Sequence, residues 1–335
     1  MRNPTGLFRR LRSGLAGLMV AAVLATSACG VGTQQAPKAT GSGSFSFTDD
    51  RGVTVTKPKS GLRVVAQEDA ANALMHLGIK PVGIFGGAPL GSNPMLKGLD
   101  TGGIESVGEV FGEVKMEKLA ALRPDVIVST FYTGDGVLFP GGVYGFQTKK
   151  MQDDAQAIAP ILALDSTKPS SSVIQRFSAL AKALGATVDS GQVATWNSAV
   201  DDLKAAVKAH PGLRVLAVTP AQDQVFFAVP DLFPDLLDLR AWGVDVMKPT
   251  GKLVSSYYEA VSWENAARYQ PDVVLVDTRG YTLGVDQLKK YPTWNEIKAV
   301  QAGQVGEWVR VSLNYQDYTA RLQKLTAILT KAKAV

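Results

Sequence analysis

The sequence is poor in the residues that build catalytic and metal sites. Its 335 residues include one cysteine, Cys29, and two histidines, His76 and His210. A lone cysteine cannot form a disulfide within the chain, and the two histidines stand in unrelated contexts without the ligand spacing of a zinc site. The chain also lacks the Gly-x-Ser-x-Gly turn of many hydrolases and the phosphate loop of nucleotide-binding proteins. These absences favour a binding protein over an enzyme, and we expect no catalytic residues, no metal site and no resident cofactor.

Long apolar runs are also missing. No run approaches the roughly 20 residues that a membrane-spanning helix needs, and the apolar stretch near the start covers only residues 15–24. That stretch follows a basic segment and precedes the small residues Ala25–Ala28, which is the pattern of an export signal. Residues 1–28 are therefore predicted to be a signal peptide.

Cys29 stands where such a signal would be cut. A cysteine at this place resembles the lipid-modified first residue of a bacterial lipoprotein, although Thr26 occupies a position where these signals usually have leucine. Residues 29–44 are small and polar, which predicts a flexible tether. We expect an exported protein, lipid-anchored through Cys29 to the outer face of the cytoplasmic membrane. The alternative is cleavage before a cysteine that stays unmodified.

The charge distribution gives no reason to expect a nucleic-acid partner. The net charge is +5, but four arginines precede residue 29 with no acidic residue among them. Removing those four from the 35 basic residues leaves 31 against 30 acidic ones. The rest of the chain is therefore close to neutral, without the basic excess that phosphate-backbone binding requires.

A short pattern occurs twice, starting at Glu117 and at Glu264, which are 264 − 117 = 147 residues apart. In each copy an alanine follows three residues after the glutamate, and Pro-Asp follows seven and eight residues after it, before an apolar run. Proline ends a helix, and the apolar run is typical of a buried parallel strand, so each copy predicts a short helix followed by a strand. Because the spacing equals about one domain, we expect two similar lobes.

The order of predicted elements indicates an α/β fold. Strands alternate with helices, which predicts two lobes with mainly parallel sheets and helices packed on them. Asp189 can cap a long helix with an apolar stripe, and this helix is the predicted connection between the lobes. The predicted organisation is an N-terminal lobe at 45–187, a single bridging helix at 188–209 and a C-terminal lobe at 210–335.

Three features together resemble the ferric-siderophore and cobalamin binding family of ABC importers. They are the two glutamate patterns, the strand start at Arg63-Val-Val, and the segment Pro292–Val305, and the resemblance covers roughly residues 45–332. It implies a ligand held in a cleft between two lobes and delivered to a permease dimer, without enzymatic activity and with iron present only inside the bound ligand. In this family one exposed glutamate on each lobe fits an arginine pocket of the permease, and the matching positions are Glu117 and Glu264.

Aromatic residues near both patterns are the candidates for ligand contact. One stands six residues before each glutamate, and others follow each predicted strand, where ligands of open α/β sheets bind. Rings offer apolar contact, and an arginine offers a cation to an anionic chelate. The resemblance adds three further positions in comparable loops: Tyr257, Trp308 and Arg310. The full set of candidates is Phe111, Phe131, Tyr132, Tyr257, Tyr258, Arg279, Tyr281, Trp308 and Arg310.

The expected function is capture of a ferric siderophore, and several alternatives stay open. Cobalamin or haem could replace the siderophore, although the scarcity of histidine argues against haem ligation by imidazole. A zinc- or manganese-binding protein on a related fold would need converging histidines and carboxylates, and the chain has only two histidines. A surface-anchored hydrolase would need a nucleophile or a carboxylate pair, which no spacing reveals.

Overall fold

The computed structural model describes residues 43–133, 138–278, 282–309 and 313–335. The predicted signal peptide, Cys29 and nearly all of the predicted tether lie outside these ranges, as do Arg279, Tyr281 and Arg310. Residues 41–335 form one compact unit. Among the described residues, no helix combines the length and apolar character needed to cross a membrane.

In the described residues, the N-terminal lobe contains a hairpin, a parallel sheet and four α-helices. The hairpin pairs β1 (Ser44–Thr48) with β2 (Thr54–Pro58). The sheet has five strands, all parallel, in the order β5-β4-β3-β6-β7. Its strands are β3 (Val64–Gln67), β4 (Gly83–Phe85), β5 (Glu105–Gly108), β6 (Val126–Phe131) and β7 (Ile161–Asp165). The helices are α1 (Glu68–His76), α2 (Met116–Ala121), α3 (Lys149–Ile158) and α4 (Ser170–Leu184).

The C-terminal lobe is built around a seven-stranded mixed sheet. Its strands are β8 (Arg214–Pro220), β9 (Gln224–Ala228), β10 (Asp245–Val246), β11 (Leu253–Ser255), β12 (Tyr258–Ser262), β13 (Val273–Asp277) and β14 (Val305–Trp308). The order is β11-β12-β9-β8-β13-β14, with β10 also on β8. β10, β8, β13 and β14 are parallel, whereas β9, β12 and β11 extend the sheet with antiparallel pairings. The α/β fold class with mainly parallel sheets is confirmed.

The remaining helices are α5 (Ser190–Ala209), α6 (Pro234–Ala241), α7 (Val285–Leu288), α8 (Lys298–Gln301) and α9 (Tyr315–Leu329). α5 lies between the two lobes in the chain, and the side chain of Asp189 caps it by accepting a hydrogen bond from the amide of Gly191 at 2.8 Å. Its buried face includes Trp196 and Leu203, which share a hydrophobic core with α9 and the C-terminal sheet. The apolar stripe of α5 is therefore the surface that packs.

The aspartate of each Pro-Asp pair has a structural role at the start of a neighbouring strand. Asp125 Oδ2 accepts a hydrogen bond from the amide of Arg63, and Asp272 Oδ2 accepts one from the amide of Arg214, both at 2.8 Å. In return the amides of the two aspartates donate to the carbonyls of the same arginines, again at 2.8 Å. The repeated pattern thus aligns β3 with β6 in one lobe and β8 with β13 in the other.

Candidate functional site

A cleft of about 570 Å³ lies between the two lobes, and aromatic side chains from both reach it. The N-terminal lobe contributes Asp69, Tyr132, Tyr144, Ser166, Thr167 and Ser170 to its lining. The C-terminal lobe contributes Phe233, Pro234, Asp235, Tyr257, Tyr258 and Trp308. Small-molecule sites are typically concave, largely apolar and a few hundred Å³ in volume, so this cleft has the size of a ligand site.

The aromatic wall of the N-terminal lobe centres on Tyr144. The ring of Tyr144 lies 5.0 Å from the ring of Phe111 and 5.3 Å from that of Tyr132, measured between centroids. Two hydrogen bonds hold Tyr144 to the end of β6: its amide donates to the carbonyl of Thr130 at 2.8 Å, and its carbonyl accepts from the hydroxyl of Ser129 at 2.7 Å. The wall is therefore attached to the strand that follows the first glutamate pattern.

Gly145 makes this close approach of the loop possible. Its φ of +91° is in the left-handed region that favours glycine, and a Cβ added there would lie 2.7 Å from the ring of Phe85. Any other residue at this position would have to adopt this strained φ and crowd the side chains of Phe85 and Gln67.

The aromatic wall of the C-terminal lobe centres on Phe233. Its ring lies 4.9 Å from Trp308, 5.4 Å from Tyr258 and 5.7 Å from Tyr257, in edge-to-face arrangements that aromatic pairs prefer. Pro234 begins α6 and restricts the preceding residue to extended backbone, which is the conformation of Phe233. The start of α6 thus holds the central ring of this wall in place.

Carboxylates stand beside the rings. The indole N–H of Trp308 donates to Asp235 Oδ2 at 2.7 Å, and Arg321 pairs with the same carboxylate, so the Trp308 ring has a fixed orientation. Asp69 lines the opposite side, at the start of α1. Within the described ranges, no group of three or more His, Cys, Asp or Glu side chains is placed to hold a metal ion.

The structure brings four of the predicted ligand-binding residues to the cleft: Tyr132, Tyr257, Tyr258 and Trp308. Phe111 does not line it; this ring, 41% exposed, borders a neighbouring pocket of about 70 Å³. Phe131 lines a different pocket beside Arg51. The other three candidates, Arg279, Tyr281 and Arg310, are outside the described residues. Contact between ligand and any of the nine residues stays a prediction.

Neither central ring is among the residues predicted from the sequence to contact the ligand. Tyr144 belongs to a glycine-rich aromatic loop, residues 141–146, and this composition alone did not distinguish Tyr144 from its neighbours. Phe233 precedes a proline that opens a helix, which is a local signal for a fixed backbone direction. The direction of the Phe233 ring follows from this signal only when the position of α6 beside β14 is also known.

Glu117 and Glu264, which begin the two repeated patterns, are both exposed on the surface. Glu117 lies in the first turn of α2, and Glu264 lies in the first turn of a 3₁₀ helix, Trp263–Arg268. A hydrogen bond from Ser262, with one from the backbone amide of Glu264 itself, holds the pKa of Glu264 below its usual value. Glu264 is therefore ionised at neutral pH and available to a cationic partner.

Comparisons with known proteins agree with this architecture. A family model described as periplasmic binding protein matches residues 106–309. The Fe(3+)-citrate-binding protein YfmC of Bacillus subtilis is 26% identical over 296 residues, covering 86% of this chain and 83% of that protein. DesE, a ferric-siderophore receptor protein from Streptomyces coelicolor, is 29% identical with a TM-score of 0.75, over 87% of this chain and 99% of that one. The petrobactin-binding protein YclQ of Bacillus subtilis shares the fold at 17% identity, with a TM-score of 0.64 over 86% and 99% of the two chains.

Proposed function

The chain belongs to the periplasmic binding protein family, and on that premise we propose that it captures a ferric siderophore outside the cytoplasm and delivers it to an ABC permease. The observation that supports this most is the cleft of about 570 Å³ with an aromatic wall on each lobe. A ferric chelate presents a large and partly apolar face, which rings on opposite sides can cover. YfmC and DesE, which bind ferric citrate and a ferric siderophore by their names, support the same class of ligand.

Binding without chemical conversion is the expected activity. The cleft offers rings and fixed polar groups on both sides, which is the equipment of a binding site. Haem is a weaker candidate, because neither His76 nor His210 is among the side chains that line the cleft. Cobalamin remains the second candidate, since its size also suits an aromatic cleft between two lobes.

Tryptophan fluorescence provides the test. Trp308 lies in the cleft, so a bound ferric chelate should quench its emission saturably. The panel consists of ferric hydroxamates, ferric catecholates, ferric citrate, cobalamin and haem. Trp308→Phe, which leaves the four other tryptophans, identifies the quenched residue. Absence of saturable quenching by every ferric chelate would refute the proposal, and recovery of a chemically altered ligand would favour a hydrolase.

Delivery to a permease would use Glu117 and Glu264. Each is an exposed carboxylate at the start of a short helix, one on each lobe, so the two could form charge-assisted hydrogen bonds with arginines on a two-subunit partner. Two such contacts on one body would fix its orientation on the permease as well as its affinity.

Lipid attachment at Cys29 would keep the protein at the membrane surface. Cys29→Ala should move the protein from the membrane fraction to the soluble fraction after cell disruption. Equal membrane association of parent and variant would show that the anchor is not at Cys29.

A further inference from the structure

The N-terminus of α4 is capped by a side chain from the other lobe. Pro169 precedes the helix and supplies no capping hydrogen bond. Asp238 of α6 takes that place: its Oδ2 accepts from the amide of Ser171 at 2.7 Å, and its Oδ1 accepts from the Ser171 hydroxyl at 2.5 Å. A carboxylate at a helix N-terminus satisfies a free amide and interacts favourably with the helix dipole. This cap joins the two lobes.

The carboxylate of Asp238 is buried, with 2% of the residue exposed. Its third partner is the hydroxyl of Tyr318, on α9, which donates to Oδ2 at 2.9 Å. Burial raises the pKa of Asp238 and outweighs the opposing hydrogen bonds from Ser171 and Tyr318. A well-packed apolar side chain in such a place is often at least as stabilising as a buried charge. What Asp238 gives that an apolar side chain could not is therefore hydrogen bonding that fixes the orientation of the start of α4.

The cap lies next to the floor of the cleft. Ser170, the neighbour of Ser171, lines the cleft from the N-terminal lobe. Asp235, three residues before Asp238 on α6, lines it from the C-terminal lobe and holds the indole of Trp308. The start of α4 therefore meets α6 beside the cleft, and the cap holds the two helices together.

We propose that Asp238 is a positioning residue that sets the separation of the two aromatic walls. Its link to ligand binding rests on the proposed function, whereas its effect on the lobes is a property of the chain without ligand. Another buried hydrogen bond crosses the lobes, from Asn314 Nδ2 to Asn72 Oδ1 at 2.8 Å. The Ser178 hydroxyl on α4 also lies 3.4 Å from that of Tyr315, and Ile174 of α4 packs in the core of the C-terminal lobe. Without the cap, these contacts and the covalent chain would remain as a pivot while the first turn of α4 moves away from α6.

The distance between the lobes can be measured directly by pulsed electron paramagnetic resonance without ligand. The background is the full chain with Cys29→Ser, carrying spin labels at Lys150→Cys and Lys298→Cys, two exposed positions on opposite lobes. Asp238→Ala should broaden the distance distribution of the folded protein. Asp238→Asn should keep it narrow, because the amide can accept from the Ser171 amide and from Tyr318 and can donate to the Ser171 hydroxyl. Rescue by asparagine distinguishes positioning from a requirement for charge.

Glu259→Gln is the matched control. Glu259 is also buried, at 1% exposed, but its partners Gly251, Arg268 and Tyr269 all belong to its own lobe. This variant should lower stability without broadening the distance distribution. If Asp238→Ala does not fold, Ser171→Ala removes the 2.5 Å bond alone and should broaden the distribution to a smaller extent.

Binding is then titrated with ferric citrate and with a ferric trihydroxamate. Asp238→Ala should weaken whichever probe the parent chain binds by about tenfold, because apparent affinity falls with the fraction of competent conformers. A parent chain that binds no ferric chelate contradicts the proposed function but leaves the distance result intact. A distribution as narrow as the parent's in both folded Asp238→Ala and Ser171→Ala would overturn the positioning role.

Discussion

The two copies of the glutamate pattern align the sheets of the two lobes in the same way, yet their surroundings differ. In the N-terminal lobe Asp125 is half-buried and accepts from the amide of Arg63. In the C-terminal lobe Asp272 is buried and accepts from the amides of both Arg214 and Val335. The aspartate of the second copy is therefore more deeply buried and accepts more backbone hydrogen bonds than the aspartate of the first.

The site shows the same contrast. On the N-terminal side the rings come from residues that follow β6, directly after the pattern. On the C-terminal side Tyr257 and Tyr258 stand at the start of β12, an antiparallel strand that has no counterpart in the all-parallel first sheet. The repeated pattern builds the common frame, and elements particular to each lobe build the walls of the cleft.

Docking is the property in which the two copies of the glutamate pattern should act alike. If the docking proposal holds, Glu117→Ala combined with Glu264→Ala should lower uptake of the ferric ligand in cells by roughly thirtyfold or more, because the proposed permease arginines would lose their charged acceptors. Ligand affinity measured by fluorescence should stay close to the parent value. Asp202→Ala, which removes an exposed carboxylate from α5, is the control. Parent-level uptake in the double variant would contradict the docking assignment.

Stability should separate the two aspartates. Asp272→Ala leaves buried donors without an acceptor and should reduce the free energy of unfolding by about 3 kcal/mol. Asp125→Ala removes one acceptor at a half-buried position and should cost about 1 kcal/mol. Urea unfolding curves with a common slope measure both. Equal losses would show that the hydrogen bond to Val335 adds nothing to the C-terminal copy.

Affinity for the ferric ligand should depend on the rings of Phe233 and Tyr144. The effect should be larger for Phe233, which contacts more neighbouring rings. Phe233→Ala removes the ring that contacts Trp308, Tyr257 and Tyr258 and should cost about 2 kcal/mol, near a thirtyfold loss of affinity. Tyr144→Ala should cost about 1 kcal/mol. Tyr291→Ala, which removes a ring stacked on Trp263 away from the cleft, is the control. Unchanged affinity in both cleft variants would move the site elsewhere.

Local signals in the sequence predicted several of the helices and strands of the fold. Asp189 caps α5 as predicted, because a capping side chain acts within a few residues of the start of its helix. The strands after both Pro-Asp pairs were also predicted. The short helix predicted at each copy is an α-helix at Glu117 and a 3₁₀ helix at Glu264.

Contacts between distant segments account for what the sequence could not supply. β12 owes its place to pairing with β9, which lies some thirty residues earlier, and this pairing directs Tyr258 to the cleft. Asp238 is one of two acidic residues on α6, and only the approach of α4 makes it a cap. Residue types and spacing do not encode such approaches directly, because they follow from the packing of whole elements.

The smallest expected effect is a change in how stability depends on pH, and it should have opposite signs at two aspartates of the C-terminal lobe. Burial raises the pKa of Asp238, so the native state binds its proton more tightly than the unfolded state. Its stabilisation is present below the unfolded-state pKa, about 3.9, and is lost as pH rises through the folded-state pKa.

At Asp272 burial acts to raise the pKa, but hydrogen bonds from the amides of Arg214 and Val335 and the Arg214 guanidinium lower it overall. Its stabilisation is present above the unfolded-state pKa and is lost as pH falls through the folded-state pKa. Urea midpoints measured from pH 3 to 8 should therefore rise relative to the parent with increasing pH in Asp238→Asn and fall in Asp272→Asn. Parallel curves for the two variants would show that the two carboxylates do not differ in this way.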